Sequence, residues 1–491
     1  MDKLGKLEQK SRGLIWLALG LLLCAFSAGR YNIWITAWIW PFLMLRFVRV
    51  NKPLFGLGIT ALALAAAGMV KWYGVIPDPH IPRNLAANLI LSAVAGLLTV
   101  IPFAADKLFR RPLIFPLAWA AAEFLISLTP FSSLTSYAYS QYGNLPFLQL
   151  VSVTGAFGVV FLLGLCASVV NFAWEKHFRW ADIRNIACAF ACALVSINLL
   201  GGARLALHPI DTGTVRIACV LGSRNEDAFF EASFDSRALD AAFMEQSLAA
   251  MGRQARAAAA AGASVVNWNE ECFPLPDTAE KEFTEAACAI ARENNVYLLV
   301  PMDIRASEAG HLNLNKQIWI APSGAVEWAY VKRNLVPLVE TFDYAPGEGP
   351  VPYADTGFAR IAGAICYDTD FPSFIRRAGK NRADILLNPS WDWAGIENYH
   401  SMGAAFRAIE NGLSLVRNTN CGVVLAADPY GRTLTAYNAL DNGRELLFSD
   451  VPASGVTTVY AVLGDWFSWG CVLGFLALAA YAALPRKREA G

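Results

Sequence analysis

One cysteine in the last third of this chain stands where a nucleophile could be presented to a substrate. Cys366 follows an apolar, strand-like run from Ala359 to Ile365, and Pro372 interrupts the chain soon afterwards. A nucleophile at the turn after a strand is held rigidly, and the backbone N–H groups that follow it can face a developing oxyanion. A thiol at its ordinary pKa is mostly protonated at neutral pH, so it needs a base and a positively charged neighbour.

Two charged residues upstream could meet those needs. Glu270 and Lys332 each lie beside an apolar, strand-like segment. We expect Glu270 to take the thiol proton and pass it to a leaving group, and Lys332 to lower the thiol pKa and stabilise a tetrahedral oxyanion. Spacing along the chain does not show that the three side chains meet. Glu271 is a second acid directly beside Glu270 and stays open as an alternative base.

The composition indicates that a large part of the chain lies in a membrane. Of the 491 residues, 55% are hydrophobic and 16% are charged, whereas soluble domains carry about 25% charged residues. The net charge is zero and the basic runs are short, which argues against a nucleic-acid partner. The ten cysteines form no CxxC pair and none of the five histidines has metal-ligand spacing, so we expect no metal and no other cofactor.

Several apolar segments are long enough to cross a bilayer, for which a helix needs roughly twenty residues. We predict seven spans in the first part of the chain, at about 13–29, 33–49, 54–75, 87–105, 112–128, 148–173 and 185–205, and an eighth at about 465–484. The first span is expected to remain uncleaved, because Leu22 and Leu23 are too large for a signal-peptide cleavage site ahead of Cys24.

Lys and Arg are concentrated in alternate connections between these spans. Segments 46–52, 106–111, 176–184 and the tail Arg486-Lys487-Arg488 carry several each, whereas the connections around 30–32, 76–86 and 129–147 carry one or none. By the positive-inside rule, both termini are then cytoplasmic. We therefore predict a multi-pass protein of the bacterial inner membrane. Its parts are a seven-span domain 1–207, a periplasmic catalytic domain 208–464, and an eighth helix with a cytoplasmic tail 465–491.

The region from 208 to 464 alternates strand-like and helix-like segments. Helices are predicted at 237–261 and 278–293. Strands are predicted at 215–220, 264–268, 296–300, 314–321, 325–331, 359–366, 384–388, 414–418 and 422–427. This pattern favours one α/β domain in which helices cover a sheet.

The segments around the three candidate residues are similar to the nitrilase, or carbon–nitrogen hydrolase, superfamily. With its membrane spans, the chain resembles the apolipoprotein N-acyltransferase family over most of its length. That family has Trp-Pro-Glu at its base, Lys-x-x-Leu-Val-Pro-Phe-Gly-Glu at its lysine and Cys-Tyr-Glu at its nucleophile. The segments here are Trp268-Asn269-Glu270, Lys332-Arg333-Asn334-Leu335-Val336-Pro337-Leu338-Val339-Glu340 and Cys366-Tyr367-Asp368. The chain departs from the family at Asn269, Glu271, Leu338-Val339 and Asp368.

The resemblance implies a helical membrane domain joined to an αββα sandwich, with catalysis by Glu270, Lys332 and Cys366. It implies that Cys366 takes a fatty acyl chain from a membrane phospholipid as a thioester. The acceptor would be the N-terminal amine of a diacylglyceryl-cysteine lipoprotein. Two other functions stay open: a membrane-tethered amidase or nitrilase-type hydrolase that uses the same triad with water, and a catalytically degenerate membrane scaffold.

Further residues are expected to support the site. Glu340 either resembles the family's second glutamate, which orients the lysine or the base, or is an ordinary solvated acid of a loop. Asp368 follows the nucleophile, Tyr367 either packs beside it or is an ordinary buried aromatic, and Asn315 either hydrogen-bonds near the triad or occupies a turn. Trp391 and Trp393 either rest at the lipid interface or belong to the domain core. His400 is expected to be structural.

Overall fold

A computed structural model of the chain describes residues 2–76, 81–209, 213–221, 241–308, 310–441 and 443–484. The chain forms two compact units, Met1–Arg204 with Asp465–Gly491, and Leu205–Gly464. The predicted basic tail Arg486-Lys487-Arg488 lies outside the described residues, and so do residues 237–240 of one predicted helix. The predicted domain limits 1–207, 208–464 and 465–491 stay predictions.

The described part of the first unit is built from helices. These are α1 (Asp2–Ala25), α2 (Thr36–Val50), α3 (Pro53–Lys71), α4 (Ile81–Thr99), α5 (Ile101–Phe109), α6 (Ile114–Ser127), α7 (Leu145–Leu148), α8 (Val151–Thr154), α9 (Phe157–Glu175), α10 (Trp180–Leu207) and the C-terminal helix Trp466–Ala483.

Five helices of the described chain are long and apolar enough to cross a membrane: Pro53–Lys71, Arg83–Phe109, Phe157–Glu175, Trp180–Leu207 and Trp466–Ala483. Shorter apolar helices occupy Gly13–Ala25, Ile114–Ser127 and Leu145–Thr154. The predicted span 148–173 differs from the structure, in which α9 begins at Phe157. The backbone of Gly155, with a φ of 69°, breaks the helix after α8. The number of eight spans stays a prediction.

The second unit contains two sheets. The first has the order β13-β1-β2-β4-β5-β6, with β3 paired to β4, and the second has the order β12-β11-β10-β9-β8-β7. The strands are β1 (Thr214–Val220), β2 (Val265–Asn267), β3 (Phe273–Pro276), β4 (Tyr297–Arg305), β5 (Leu314–Ile320), β6 (Val326–Val331), β7 (Tyr353–Asp355), β8 (Arg360–Gly363), β9 (Ile385–Trp391), β10 (Ser414–Asn420), β11 (Val423–Ala427), β12 (Thr433–Asn438) and β13 (Leu446–Pro452). The helices are α11 (Ala241–Ala260), α12 (Glu280–Asn294), α13 (Pro372–Lys380), α14 (Glu397–Asn411) and α15 (Val459–Leu463).

Alternate residues of the central strands enter different hydrophobic cores, as the pleat of a strand requires. Ile217 of β1 and Ile385 of β9 meet in the core between the two sheets. Ala218 of β1 packs in the core with residues of α11 and α12, and Leu386 of β9 packs in the core with residues of α13 and α14. The unit is therefore an αββα sandwich, and the predicted fold class of this region is confirmed.

Most predicted strands coincide with observed ones to within a few residues. The sequence pattern does not predict β3, β7, β12 or β13. The last three lie at sheet edges, and β3 carries two prolines. Strand β12 is partly exposed on both faces and has no fully buried residue among those described, so its apolar alternation is weak.

The topology brings the ends of several strands to one region of the sandwich. Strands β8, β9 and β10 run parallel, so the residues after them, including Cys366 and Asp392, lie along the same sheet edge. In the other sheet, β1, β2 and β4 run parallel and Glu270 follows β2. Lys332 follows β6, which pairs antiparallel with β5.

Gly412 ends α14 in a conformation that favours glycine, with a φ of 66°, and a Cβ there would lie 1.8 Å from the Val456 carbonyl oxygen. We predict that Gly412→Ala lowers the free energy of unfolding by at least about 1–3 kcal/mol, the usual cost of such backbone strain. Thermal unfolding of the detergent-solubilised protein measures it. Gly357→Ala is the control, because a Cβ at Gly357 meets no atom within 4 Å. Equal melting temperatures for the two variants would contradict the prediction.

Candidate active site

Two of the three predicted catalytic residues, Glu270 and Cys366, contact the backbone of Trp391 at the end of β9, and the third, Lys332, contacts Glu270. The Trp391 N–H donates to Glu270 Oε2 at 2.6 Å, and the Trp391 carbonyl accepts from Cys366 Sγ at 3.8 Å. Lys332 Nζ lies 2.7 Å from Glu270 Oε1. All three side chains are buried. The structure therefore brings together a thiol, a carboxylate and an ammonium group from both sheets.

The Lys332 ammonium group lies between two carboxylates, and the side-chain amide of Asn315 donates to both of them. Lys332 Nζ lies 2.6 Å from Glu340 Oε1 in addition to its contact with Glu270. The Asn315 Nδ2 group donates to Glu270 Oε1 at 2.7 Å, to Glu271 Oε1 at 3.1 Å and to Glu340 Oε1 at 3.4 Å. Glu340 is itself fixed, because its Oε2 accepts the Val336 N–H at 2.7 Å. Asn315 and Glu340 thus lie in direct contact with the candidate triad.

The charges of this cluster set the protonation states. Burial disfavours the charge on Lys332, but Glu270 and Glu340 outweigh it and raise the pKa of Lys332 well above its usual value. Burial, and then the carboxylate of Glu270, raise the pKa of the Cys366 thiol well above its usual value, while Lys332 and Arg417 act against that rise. The ammonium group is therefore charged and the resting thiol is protonated, so reaction requires a base.

Glu271, the alternative base, occupies a different position from Glu270. Its carboxylate accepts from Asn315, whereas Glu270 contacts Lys332, Asn315 and the Trp391 N–H. Burial raises the pKa of Glu271 well above its usual value, and Asp303 and Glu270 add to that rise. Glu270, which contacts both Lys332 and the Trp391 N–H, is therefore the base that the geometry favours.

Cys366 stands on a strained turn that Asp368 holds in place. Cys366 has a φ of 43° at the start of the 3₁₀ turn Cys366–Asp370, a conformation that is uncommon outside glycine. Asp368 Oδ2 accepts the Ile365 N–H at 3.0 Å and the Tyr330 hydroxyl at 2.7 Å. Asp368 Oδ1 accepts the backbone N–H and the side-chain amide of Asn334, at 3.0 and 2.8 Å. One carboxylate therefore fixes the turn and ties it to the segment that follows Lys332.

The three aromatic candidates take different positions. Tyr367 is buried and packs edge-on against Phe371, with ring centroids 5.3 Å apart. The Trp391 side chain is also buried, as expected of the second of its two predicted positions, the domain core. The backbone of Trp391, by contrast, contacts Glu270 and Cys366. Trp393 is half-buried.

A second group of charged residues lies beside Cys366, and the sequence pattern predicted no catalytic function for it. Asp370, Asp392, His400 and Arg417 are all buried. Cys366 Sγ, a carboxylate oxygen of Asp392 and a ring nitrogen of His400 lie within 4.8 Å of one another. A usable signal was present: Asp392 directly follows a buried strand, and Asp370 closes the turn after a neighbouring parallel strand.

Two sets of ligand-type atoms are close enough to hold a metal ion, Cys366-Asp392-His400 and Glu270-Glu271-Glu340. In each set a carboxylate is already paired with a cation, Arg417 in the first and Lys332 in the second. Both arrangements are thus compatible with buried ion-pair networks, and the expectation of a metal-free site stays a prediction.

Comparisons with known proteins match both parts of the chain. Residues 238–459 match the carbon-nitrogen hydrolase family, and residues 19–169 match the apolipoprotein N-acyltransferase N-terminal domain. An apolipoprotein N-acyltransferase of Geobacter metallireducens is 26% identical over 96% of this chain and 95% of its own length. One of Shewanella oneidensis is 24% identical over 93% of this chain and 94% of its own length. The crystal structure of an amidase from Nesterenkonia sp. covers 50% of this chain and 94% of its own, with 21% identity and a TM-score of 0.40.

Removing the Asp368 carboxylate leaves several buried donors without an acceptor, each at a cost of about 1–3 kcal/mol. We predict that Asp368→Ala lowers the melting temperature and slows alkylation of Cys366 by iodoacetamide, because the strained turn relaxes. Tyr330→Phe removes a single hydrogen bond to the same carboxylate and should produce a smaller change in the same direction. Cys366 alkylation in Asp368→Ala at the wild-type rate would show that the turn does not depend on this residue.

Proposed function

The chain belongs to the apolipoprotein N-acyltransferase family of the nitrilase superfamily, and we propose that it moves a fatty acyl chain from a membrane phospholipid to the N-terminal amine of a diacylglyceryl-cysteine lipoprotein. The observation that carries the proposal is the convergence of Cys366 and Glu270 on the Trp391 peptide, with Lys332 in contact with Glu270. Relatives of that name match nearly the whole chain, including its apolar helices.

In the first step, Cys366 attacks the ester carbonyl carbon of the phospholipid. Glu270 accepts the thiol proton as the sulfur–carbon bond forms, and the charged Lys332 stabilises the oxygen of the tetrahedral intermediate. The carbon–oxygen bond then breaks. Glu270 returns the proton to the departing alkoxide, which leaves as a lysophospholipid, and the acyl chain remains on Cys366 as a thioester.

In the second step, the lipoprotein amine attacks the thioester carbonyl. Glu270 takes a proton from the attacking nitrogen, the carbon–sulfur bond breaks, and the thiolate that leaves recovers a proton from Glu270. The product is an amide and the thiol is regenerated, so no cofactor is consumed. A thiolate is a good leaving group to an amine, which suits sulfur to both halves of the reaction.

Both substrates are anchored in a lipid bilayer, which gives the helical unit a purpose. We propose that residues 1–207 and 465–491 hold the chain in the bacterial inner membrane with both termini in the cytoplasm. Residues 208–464 then lie in the periplasm, where the distribution of Lys and Arg around the spans would put them.

The two alternatives from the sequence are not favoured. Asp368, at which the chain departs from the acyltransferase pattern, gives hydrolysis only slight support, because its carboxylate anchors the turn rather than contacting the candidate triad. A degenerate scaffold would have no use for the contacts among Glu270, Lys332 and Glu340.

Incubation of the purified protein with acyl-labelled phospholipid tests the first step. We predict a hydroxylamine-labile label on the wild-type protein and none on Cys366→Ala, because the Cys366 sulfur contacts the same residue, Trp391, as the candidate base. Cys288→Ala is the matched control, since Cys288 lies on α12 and is half-buried. Ammonia release from small amides without any labelled adduct would instead support the hydrolase.

The choice of base can be tested by two neutral replacements. Glu270→Gln should slow acylation of Cys366 by about 100- to 10,000-fold, the usual contribution of a general base. Glu271→Gln keeps the contacts of Glu270 with Lys332 and the Trp391 N–H, so its rate should stay close to that of the wild type. Single-turnover acylation measures both, and the reverse order of rates would identify Glu271 as the base.

A further inference from the structure

His400 connects two segments that carry the reacting groups. It lies on α14, between the turn Cys366–Asp370 and the residue that follows β9. Its Nε2 lies 2.6 Å from Asp370 Oδ2, and its Nδ1 lies 2.7 Å from Asp392 Oδ1. Asp370 closes the turn that begins with Cys366, and Asp392 directly follows Trp391. One imidazole ring therefore joins the nucleophile's turn to the peptide that contacts both Cys366 and Glu270.

Residues of β10 hold Asp392 in place. Arg417 Nη2 lies 2.8 Å from Asp392 Oδ1, and the Thr419 hydroxyl donates to Asp392 Oδ2 at 3.0 Å. The Asp392 N–H donates to the Thr419 Oγ1 atom at 3.1 Å. Gly422 leaves room for this carboxylate, because a Cβ there would lie 2.7 Å from Asp392 Oδ2. Asp392 is thus held from β10 and from the segment after it.

The charged state of His400 decides whether both connections hold. A doubly protonated ring donates to both carboxylates. In the neutral ring that keeps its bond to Asp370, Nδ1 bears a lone pair, which faces Asp392 Oδ1 unfavourably and accepts instead from Arg417 Nη2, 2.7 Å away. In that tautomer, loss of one proton therefore replaces the direct bond between His400 and Asp392 with an indirect contact through Arg417, on the side that carries Trp391.

The surroundings favour the charged ring at neutral pH. The charged or titratable groups that face it are Asp370 and Cys366 on the turn, Asp392 after β9 and Arg417 on β10. Burial and Arg417 act to lower the pKa of His400, but the two aspartates outweigh them and raise it to about 9. Because this pKa is raised, the charged ring contributes its full stabilisation of the folded state below about pH 6.5, the ordinary value for histidine. That stabilisation is lost as the pH rises through about 9.

We propose that His400 is a positioning residue for acyl transfer: as an imidazolium it ties Asp370 to Asp392, and so holds the turn of Cys366 against the Trp391 peptide that also binds Glu270. This inference rests on the proposed role of Cys366 as the acyl-accepting nucleophile. A wild-type protein that takes no label from phospholipid defeats the proposed function. If the wild-type protein is labelled and substitutions at His400 leave its acylation rate unchanged, only this inference is wrong.

The test uses full-length protein in detergent. His400→Gln leaves two buried carboxylates with one cation, so the charge-balanced pair Asp370→Asn with His400→Gln is made beside it. His311→Gln is the matched control, because the His311 side chain is 67% exposed. We measure three quantities for each protein: the melting temperature, the single-turnover rate of Cys366 acylation and the half-saturating phospholipid concentration. The measurements run from about pH 6 to about pH 10, a range that includes the ordinary histidine pKa of about 6.5.

We expect wild-type acylation to decline as the pH passes about 9, where His400 loses its proton. Lys332 does not cause this decline, because its pKa lies well above its usual value.

The double variant should acylate on the order of 100-fold more slowly, the effect of a misplacement of about 1 Å. It should show no decline near that pH and the same half-saturating phospholipid concentration. Thr419→Val removes both hydrogen bonds between this hydroxyl and Asp392 but leaves His400 in place, so it should give a smaller loss of rate and keep the alkaline decline.

Three outcomes overturn the inference. The first is a wild-type rate that does not fall between pH 8 and pH 10, a range about one unit to either side of the pKa of about 9, and this outcome needs no variant. The second is a folded double variant that keeps both the wild-type rate and the alkaline decline. The third is a loss of melting temperature in both His400 variants without any loss of rate per folded molecule, which would make the residue merely structural.

Discussion

Lys332 is buried between Glu270 and Glu340, and a buried ammonium group is tolerated only where carboxylates replace its lost hydration. The two acids must in turn be held, or they would move to relieve their mutual repulsion. Glu340 is fixed by the Val336 N–H, and Glu270 by the Trp391 N–H. Because Trp391 belongs to the second sheet, this requirement connects the two sheets of the sandwich at the site. The remainder of the site is arranged around that connection.

The thiol lies between two groups of buried charge. On one side are Lys332 and its acids, which belong to the first sheet and its loops. On the other side are Arg417 and the aspartates bonded to His400, which belong to the second sheet and α14. Both cations act to lower the pKa of Cys366, while burial and Glu270 raise it. The Cys366 thiol therefore stays neutral at rest, and in the proposed reaction its activation depends on the placement of the base rather than on a permanently ionised sulfur.

The apolar patterns of the central strands predicted one α/β domain, and the resemblance of the segments at Glu270, Lys332 and Cys366 to the nitrilase superfamily implied the αββα sandwich. The sequence did not resolve Glu270 from Glu271, since that choice depends on which carboxylate meets the Trp391 N–H across two sheets. Nor did it predict the connections made by His400, which join residues that are 8 and 30 positions apart along the chain. In the helical unit, hydropathy alone did not detect the break at Gly155, because apolar residues such as Val151 and Phe157 stand on both sides of it.

The turn after Cys366 explains why a departure from the family pattern need not change the chemistry. The left-handed backbone of Cys366 carries strain of order 1–3 kcal/mol and persists only when its neighbours fix it. Asp368 bonds the Ile365 N–H on one side of it, Thr369 bonds the Cys366 carbonyl at 2.9 Å, and Asp370 bonds His400. Three successive polar side chains thus anchor the residue that must not move. What this position requires is an acceptor that can reach Ile365, Tyr330 and Asn334 together, and the short carboxylate of Asp368 reaches all three.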